Sequence, residues 1–404
     1  MDLETFEWLL SDAGQALLAE AMAGDLGDDA QLRELTRLRR LAAPERAAAA
    51  YEIARLRRHA AAKFSNAAAL YFTREALEQA SGETIAGYRA RRYQAFGQVA
   101  DLCCGVGGDT LALARAARVA AVDRDPLRLA MAAANARASG LDGQITFQLA
   151  DLEQAPPPDT EAIFFDPARR AGGRRVFALA DYHPPVALVQ RWRARTPAIG
   201  VKVAPGVTDD DLAALDIPGL EAEFISVDGE LKEAALWLGP LATAGRRATL
   251  LRSAGPPERW SVETLEDSAA APTPPLAPPA AYLYEPDPAI IRAHLVAALA
   301  ERIGAAQLDQ QIAYLTAERA IDTPLARRWP VIEWLPFSLK RLRARLRALD
   351  AGAVTVKKRG SPIDTNALAR QLSGGGARRL VVVLTRVADQ PAALICDELA
   401  QQSQ

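Results

Sequence analysis

Cysteine is scarce in this 404-residue chain: there are three, and Cys103 and Cys104 are neighbours. So few thiols exclude a disulfide framework, and no Cys/His spacing fits a zinc site, so the reading is a cytoplasmic protein without structural metal. Histidine is equally scarce. His59, His183 and His294 lie far apart, and Tyr182-His-Pro-Pro185 reads as a loop, which argues against a histidine base. No run of about eighteen apolar residues is free of charge, which excludes a spanning helix. The opening Met1-Asp-Leu-Glu lacks the basic region of a signal peptide. An excess of one charge is missing too: 48 Lys and Arg face 50 Asp and Glu, for a net charge of −2. Only six of those cations are lysine, and alanine is abundant. In such a composition arginine is partly a default surface residue, and an arginine cluster can be no more than a solvated face.

What is present is a chain that is 50% hydrophobic and long enough for two or three domains. Its most informative stretch is Val-Ala-Asp101-Leu-Cys-Cys-Gly105-Val-Gly107-Gly-Asp109, followed by a helical run and then Val119-Ala-Ala-Val-Asp123. An apolar strand that runs into glycines and opens a helix brings backbone N–H groups close to a ligand. An acid at the tip of the next strand suits ribose hydroxyls. A pyrophosphate fingerprint needs a third glycine where this chain has Thr110, and Asp101 and Asp109 would repel phosphates. The loop suits a ligand with a ribose, a cationic amino group and no phosphate.

The segment from Asp101 to Asp109 resembles motif I of class I S-adenosylmethionine-dependent methyltransferases, in particular the branch near trimethylguanosine synthases. Asp123 matches the ribose acid, and Asp151 in Gln148-Leu-Ala-Asp151 matches the acid that reads the adenine amino group. Asp166-Pro167-Ala168-Arg169, after Ala162-Ile-Phe-Phe165, falls at the family's Asp/Asn-Pro-Pro-aromatic catalytic loop. The match covers roughly residues 64–239, and the whole chain is similar to bacterial methyltransferases with a C-terminal THUMP-like domain. The resemblance implies a Rossmann-like α/β sheet ending in an antiparallel hairpin and S-adenosylmethionine as cofactor. It places Asp101, Cys103, Gly105, Gly107 and Asp109 in the cofactor loop. It also implies structured RNA, tRNA or rRNA, as partner. Phe72 or Thr73 matches a segment that lies over the methionine end of the cofactor, although Thr73 also reads as a helix N-cap. For an exocyclic amine, Asp166 and the Pro167 carbonyl orient the nitrogen lone pair, so the rate gain is mostly alignment. Ala168 and Arg169 depart from the pattern. The Arg169 guanidinium can stack on a base, or Phe177 or Tyr182 supplies the ring, while Arg170 and Arg174 suit phosphates. Alternative acceptors are a protein or a small molecule, and a further alternative is an RNA-binding protein that retains the fold without catalysis.

Organisation follows. Residues 1–63 read as helices, with a stripe of Leu32, Leu35, Leu38 and Leu41 and a helix starting at Pro44. They form either a cap on the catalytic domain or an RNA-facing surface of Arg37, Arg39, Arg40, Arg55, Arg57 and Arg58. Residues 64–253 form the methyltransferase domain, with strands at 145–149, 162–165, 198–203, 222–227 and 233–238. The last two are joined by Asp228-Gly-Glu-Leu and are therefore antiparallel. Residues 254–281 are a proline-rich linker, and 282–328 a connecting subdomain with helices at 290–303 and 308–314. Residues 329–404 form a basic α/β unit: ten Lys/Arg against two acids lie between Arg327 and Arg359. There Arg343 and Arg347, on a helix at 339–349, and Lys357, beside a strand, are expected to share one RNA-binding surface.

Overall fold

The computed structural model describes residues 1–168, 170, 171, 174, 175, 179–253, 260–267, 273–360 and 362–398. It divides into two compact units. One comprises Met1–Ala222, Glu233–Thr243 and Ser253–Trp260; the other comprises Glu223–Lys232, Ala244–Arg252 and Ser261–Gln404.

The first unit opens with α1 (Leu3–Leu9), α2 (Asp12–Ala23), α3 (Gln31–Leu38) and α4 (Pro44–Ala60). Asp2 and Ser11 cap the first two by accepting backbone N–H groups, and Pro44 sits where its missing N–H is harmless. The leucine stripe needs correction. Leu38 is fully buried, but Leu32 and Leu41 are 76% and 59% exposed. A three-residue step falls about 60° short of a full turn, so successive leucines drift around the helix, and α3 ends at Leu38. Arg57 is buried against the carbonyls of Leu70 and Ala69, Arg37 pairs with Glu34 and Glu20, and Arg55 pairs with Asp28. Half of the arginines of the alternative RNA-facing surface are thus committed internally.

The chain continues through α5 (Arg74–Gln79), α6 (Glu83–Ala90), β1 (Gln98–Leu102), α7 (Gly108–Ala114), β2 (Arg118–Asp123), α8 (Pro126–Ala138), β3 (Ile145–Leu149) and β4 (Ala162–Phe165). Then come the two-residue strands β5 (Arg170–Ala171) and β6 (Arg174–Arg175), α9 (Val189–Trp192), β7 (Ala198–Val203) and α10 (Asp209–Ala214). Strands β3, β2, β1, β4 and β7 are neighbours in that order and parallel throughout. Every residue of β4 and β7 is buried, as a parallel sheet covered on both faces requires. β8 (Glu221–Val227) turns into β9 (Glu230–Leu238) through Asp228 and Gly229, at φ +50° and +80°, the pair a tight hairpin needs. The turn is shorter than expected, because Glu230 and Leu231 join the strand. From Ala234 to Leu238, β9 runs antiparallel to β7.

In the second unit, β10 (Arg246–Ser253) and β11 (Trp260–Glu266) follow β8 in the order β11-β10-β8. β11 lies inside the stretch read as linker. Next come β12 (Tyr282–Pro286), α11 (Pro288–Arg292), α12 (Val296–Arg302), β13 (Ala306–Asp309), β14 (Ile312–Ala317), β15 (Ala326–Pro336), α13 (Leu339–Ala348), β16 (Ala351–Lys358), α14 (Thr365–Leu372), β17 (Arg378–Val387) and β18 (Gln390–Asp397). Seven strands form one sheet, β13-β14-β12-β15-β18-β17-β16. The helix expected at 308–314 is in fact a hairpin. Asp309 accepts the Gln311 N–H to make the turn, and Ile312 and Tyr314 alternate inward at strand period. The proline-rich segment is pinned at Leu276, which bridges to Gln307.

One face of this sheet packs Leu342 and Leu346 of α13 and Leu368 and Leu372 of α14 against Val354 and Val356. Lys357, one residue on, must point to the opposite face. There its ammonium pairs with Glu285 at 2.5 Å and lies over the Trp329 ring at 5.0 Å. The expectation that Lys357 extends the α13 surface is therefore corrected. On α13 itself Lys340, Arg341 and Arg347 are exposed. Arg343 donates to Gln371, and Arg345 pairs with Glu333 and holds its carboxyl below the usual range.

Candidate active site

The C-terminal ends of β1, β2, β4 and β7 converge on one cleft in the first unit, where ligands of open α/β sheets bind. After β1 the chain turns sharply: Cys103, Gly105 and Gly107 all have positive φ, and Gly107 stands at the N-cap of α7. A Cβ on Gly107 would stand 3.3 Å from that of Ala132, whereas one on Gly105 would meet nothing within 4 Å and would project into open space. Close packing requires the first glycine, and the second keeps backbone accessible from the cleft. Burial pushes the Cys103 and Cys104 thiols up, which disfavours a thiolate nucleophile at either position.

Asp123, at the tip of β2, is held at both oxygens. Oδ2 accepts the Gly105 N–H at 2.8 Å, and Oδ1 accepts the Asp125 N–H at 2.9 Å. Burial raises its pKa. Asp101 lies below the loop with no exposure at all. Its Oδ2 accepts the Thr110 hydroxyl, and Oδ1 has no hydrogen-bond partner among the described residues. Burial, then the neighbouring Asp109, pushes Asp101 up to about 8, so it is a neutral acid at pH 7. Asp109 pairs with Arg89, whose guanidinium is 1% exposed, also pairs with Glu233 and stands over the Phe164 ring at 4.9 Å. Ser81 donates to the same Glu233.

Asp151 lines the cleft with its carboxylate engaged locally, accepting the Glu153 N–H and the Gln154 amide at 3.0 Å each. Asp166 directly follows β4, with Lys202 Nζ of β7 at 2.7 Å from its Oδ2. The following loop is fixed by two hydrogen bonds between Ala168 and His183. The His183 ring in turn contacts Glu153 at 3.0 Å and the Arg124 guanidinium.

The fold thus gathers Asp109, Asp123, Asp151, Asp166, Pro167, Cys103 and Gly105 around one cleft, with Asp101 and Gly107 beneath. Other candidates fall elsewhere. Thr73 caps α5 by accepting the Ala76 N–H at 3.1 Å, and Phe72 packs on Phe64; the α5 residues on the cleft are Ala76 and Gln79. Tyr182 is corrected as a stacking ring: it is 2% exposed, and its hydroxyl accepts the Ala204 N–H at 2.8 Å. Arg169 and Phe177 lie outside the described residues. Arg170 and Arg174 are described as backbone only, paired Arg170↔Arg175 and Ala171↔Arg174.

Sequence reading missed Lys202, Arg89 and the Arg124–His183–Glu153 contact. Glu230, Lys232 and Glu233 match the family's Gly-Glu-Leu-Lys-Glu hairpin pattern and read only as surface pairing, whereas Glu233 is buried against Arg89. Lys202 left a signal, a charge inside the apolar strand Ala-Ile-Gly-Val-Lys-Val; Arg89 left none. Among the described residues no group of three or more His, Cys, Asp or Glu is arranged to hold a metal ion. No described helix is long and apolar enough to cross a membrane.

Family models match as a methyltransferase domain over residues 99–166, a THUMP domain-like unit over 326–398 and a domain of unknown function over 2–60. Two Mycobacterium tuberculosis proteins, from strains CDC 1551 / Oshkosh and ATCC 25618 / H37Rv, are each described as an uncharacterized S-adenosylmethionine-dependent methyltransferase. Each is 40% identical over 320 residues, covering 78% of this chain and 84% of its own. A crystal structure from Porphyromonas gingivalis W83, provisionally assigned as a methyltransferase, shares the fold at a TM-score of 0.72 with 22% identity. The match covers 99% of this chain and 100% of that one.

Proposed function

The chain belongs to the S-adenosylmethionine-dependent methyltransferases, and from that premise we propose that it methylates a base nitrogen of structured RNA, tRNA or rRNA. Its cofactor is S-adenosylmethionine, which when bound supplies an electrophilic methyl group on a sulfonium. The residues present suit that ligand. Asp123, with both oxygens fixed by backbone N–H groups, is oriented to accept the ribose hydroxyls. The open space over Gly105 accommodates the ligand, and Asp109 on the cleft provides negative potential for an ammonium. Asp151 and Leu152 lie on the wall where the adenine would rest.

The observation that carries the proposal is that Asp166 and Pro167 stand on the same cleft as Asp123. A carboxylate there accepts one N–H of an exocyclic amine and the Pro167 carbonyl accepts the other, aiming the lone pair at the methyl carbon. Alignment of two bound reactants accounts for most of the acceleration, and the proton leaves the nitrogen after transfer. RNA as the acceptor is supported by the exposed Lys340, Arg341 and Arg347 in the unit that matches a THUMP domain-like family. A nucleobase amine is supported by the resemblance to trimethylguanosine synthases.

The test is incubation with tritiated-methyl S-adenosylmethionine and separated RNA, protein and small-molecule fractions of a cell extract. Label should enter RNA and, after digestion, run with a base-methylated nucleoside. Label confined to protein or small molecules overturns the RNA reading.

A further inference from the structure

We propose that Lys202 is a positioning residue that fastens both walls of the cleft at once: it orients Asp166 on the acceptor side and anchors the end of α5 on the cofactor side. This rests on the methyltransferase assignment but not on RNA as acceptor.

A buried cation persists only where it is paired and hydrogen-bonded. The Lys202 side chain is 6% exposed, on a strand whose other residues are apolar. An ammonium has three donors. One reaches Asp166 Oδ2 at 2.7 Å and a second the Gln79 carbonyl at 3.2 Å. No partner for the third exists among the described residues, and Lys202 borders the cleft.

Gln79 is the last residue of α5, a helix of six residues, too short to be stable alone. Its final carbonyls have no partner inside the helix. Lys63 Nζ takes those of Leu77 and Glu78 and the following Ala80, and Lys202 takes that of Gln79. Two ammonium groups therefore hold the negative end of the helix. Ala76, Gln79 and Ala80 line the same cleft as Asp166. Because one ammonium serves both walls, displacing either disturbs the other.

The test compares Lys202→Met, which keeps the apolar stem, and Lys202→Arg with wild type in three measurements. These are amide hydrogen exchange over residues 74–80, S-adenosylhomocysteine affinity by calorimetry, and methyl transfer into whichever fraction the wild type labels. Loss of hydrogen bonds to a charged donor should speed exchange at the end of α5 and weaken S-adenosylhomocysteine by about tenfold each, and lower kcat by about tenfold or more. Arginine should recover much of all three. If Lys202→Met lowers kcat but leaves α5 exchange unchanged, or loosens α5 with normal kcat, the shared anchoring is refuted. Should the methionine variant not fold, Lys202→Gln is read in its place, with the arginine variant again expected to recover. Exchange and affinity need no acceptor, so an unexpected acceptor class would overturn the RNA proposal alone.

Discussion

Replacing Asp123 by alanine and by asparagine tests the cofactor reading at the group the structure constrains most. Both carboxylate oxygens already accept a backbone N–H, from Gly105 at 2.8 Å and from Asp125 at 2.9 Å. The proposed role leaves the remaining lone pairs to accept the two ribose hydroxyls. Alanine removes two hydrogen bonds to a charged acceptor, about 2–3 kcal/mol net, so the Kd for S-adenosylmethionine should rise roughly 30- to 150-fold. Asparagine is nearly isosteric but must turn its amide NH2 toward one of the two backbone N–H groups, donor against donor. It should therefore weaken binding by about tenfold or more despite its shape. Burial raises the Asp123 pKa. The carboxylate is the form that accepts hydroxyl protons, so wild-type affinity should fall as pH falls through that raised value, and the alanine variant should lack this component. Isothermal titration calorimetry across pH reads all of this. Unchanged affinity in both variants, or tighter binding of NAD than of S-adenosylmethionine by wild type, would remove Asp123 from the ribose role.

Further outcomes follow from the same geometry. Asp166→Ala should leave S-adenosylmethionine affinity nearly intact while kcat falls by about a hundredfold or more, measured as methyl transfer, because acceptor alignment is lost. Asp101 titrates near 8 when folded against an ordinary 3.8. The folded state alone therefore binds its proton between those values, and its contribution to stability declines by about 1.4 kcal/mol per pH unit as pH rises across that window. Denaturant melts of ligand-free Asp101→Asn should show a flatter decline from pH 5 to 8 than wild type, and parallel curves would contradict the buried neutral acid. Arg89→Met strands Asp109 and Glu233 and should destabilise the protein by about 3–5 kcal/mol in the same assay. Changing Lys340, Arg341 and Arg347 to Gln should flatten the dependence of log RNA affinity on log salt by about two units, with S-adenosylmethionine binding unaltered. Equal slopes would make the α13 surface a solvated face.

Much of the catalytic domain was legible because its signals are local. Parallel strands buried on both faces read as apolar runs, unbroken in β4 and interrupted only by Gly200 and Lys202 in β7, which located both to the residue. A glycine loop between a strand and a helix has few other uses, and strand-tip acids follow at fixed intervals. Local reading failed where period and burial compete. The segment 308–314 has apolar residues at spacings that suit either helix or strand, and only pairing of β14 with β12 and β13 decided it. Tyr182 lies near the catalytic loop in sequence, but nothing local shows that its ring is spent on the core. Lys357 was separated from α13 by sheet pleating, which composition does not encode. The Arg89–Asp109–Glu233 cluster joins residues 144 apart, and the Lys202 anchor joins β7 to β4 and α5. The sequence by itself determined the fold class, the glycine loop after β1 and the acids at the strand tips, because each depends on neighbours along the chain. Tertiary structure alone decided which charges are paired, which are buried and which face the cleft, because desolvation and Coulomb energy depend on distances through space that strand order sets.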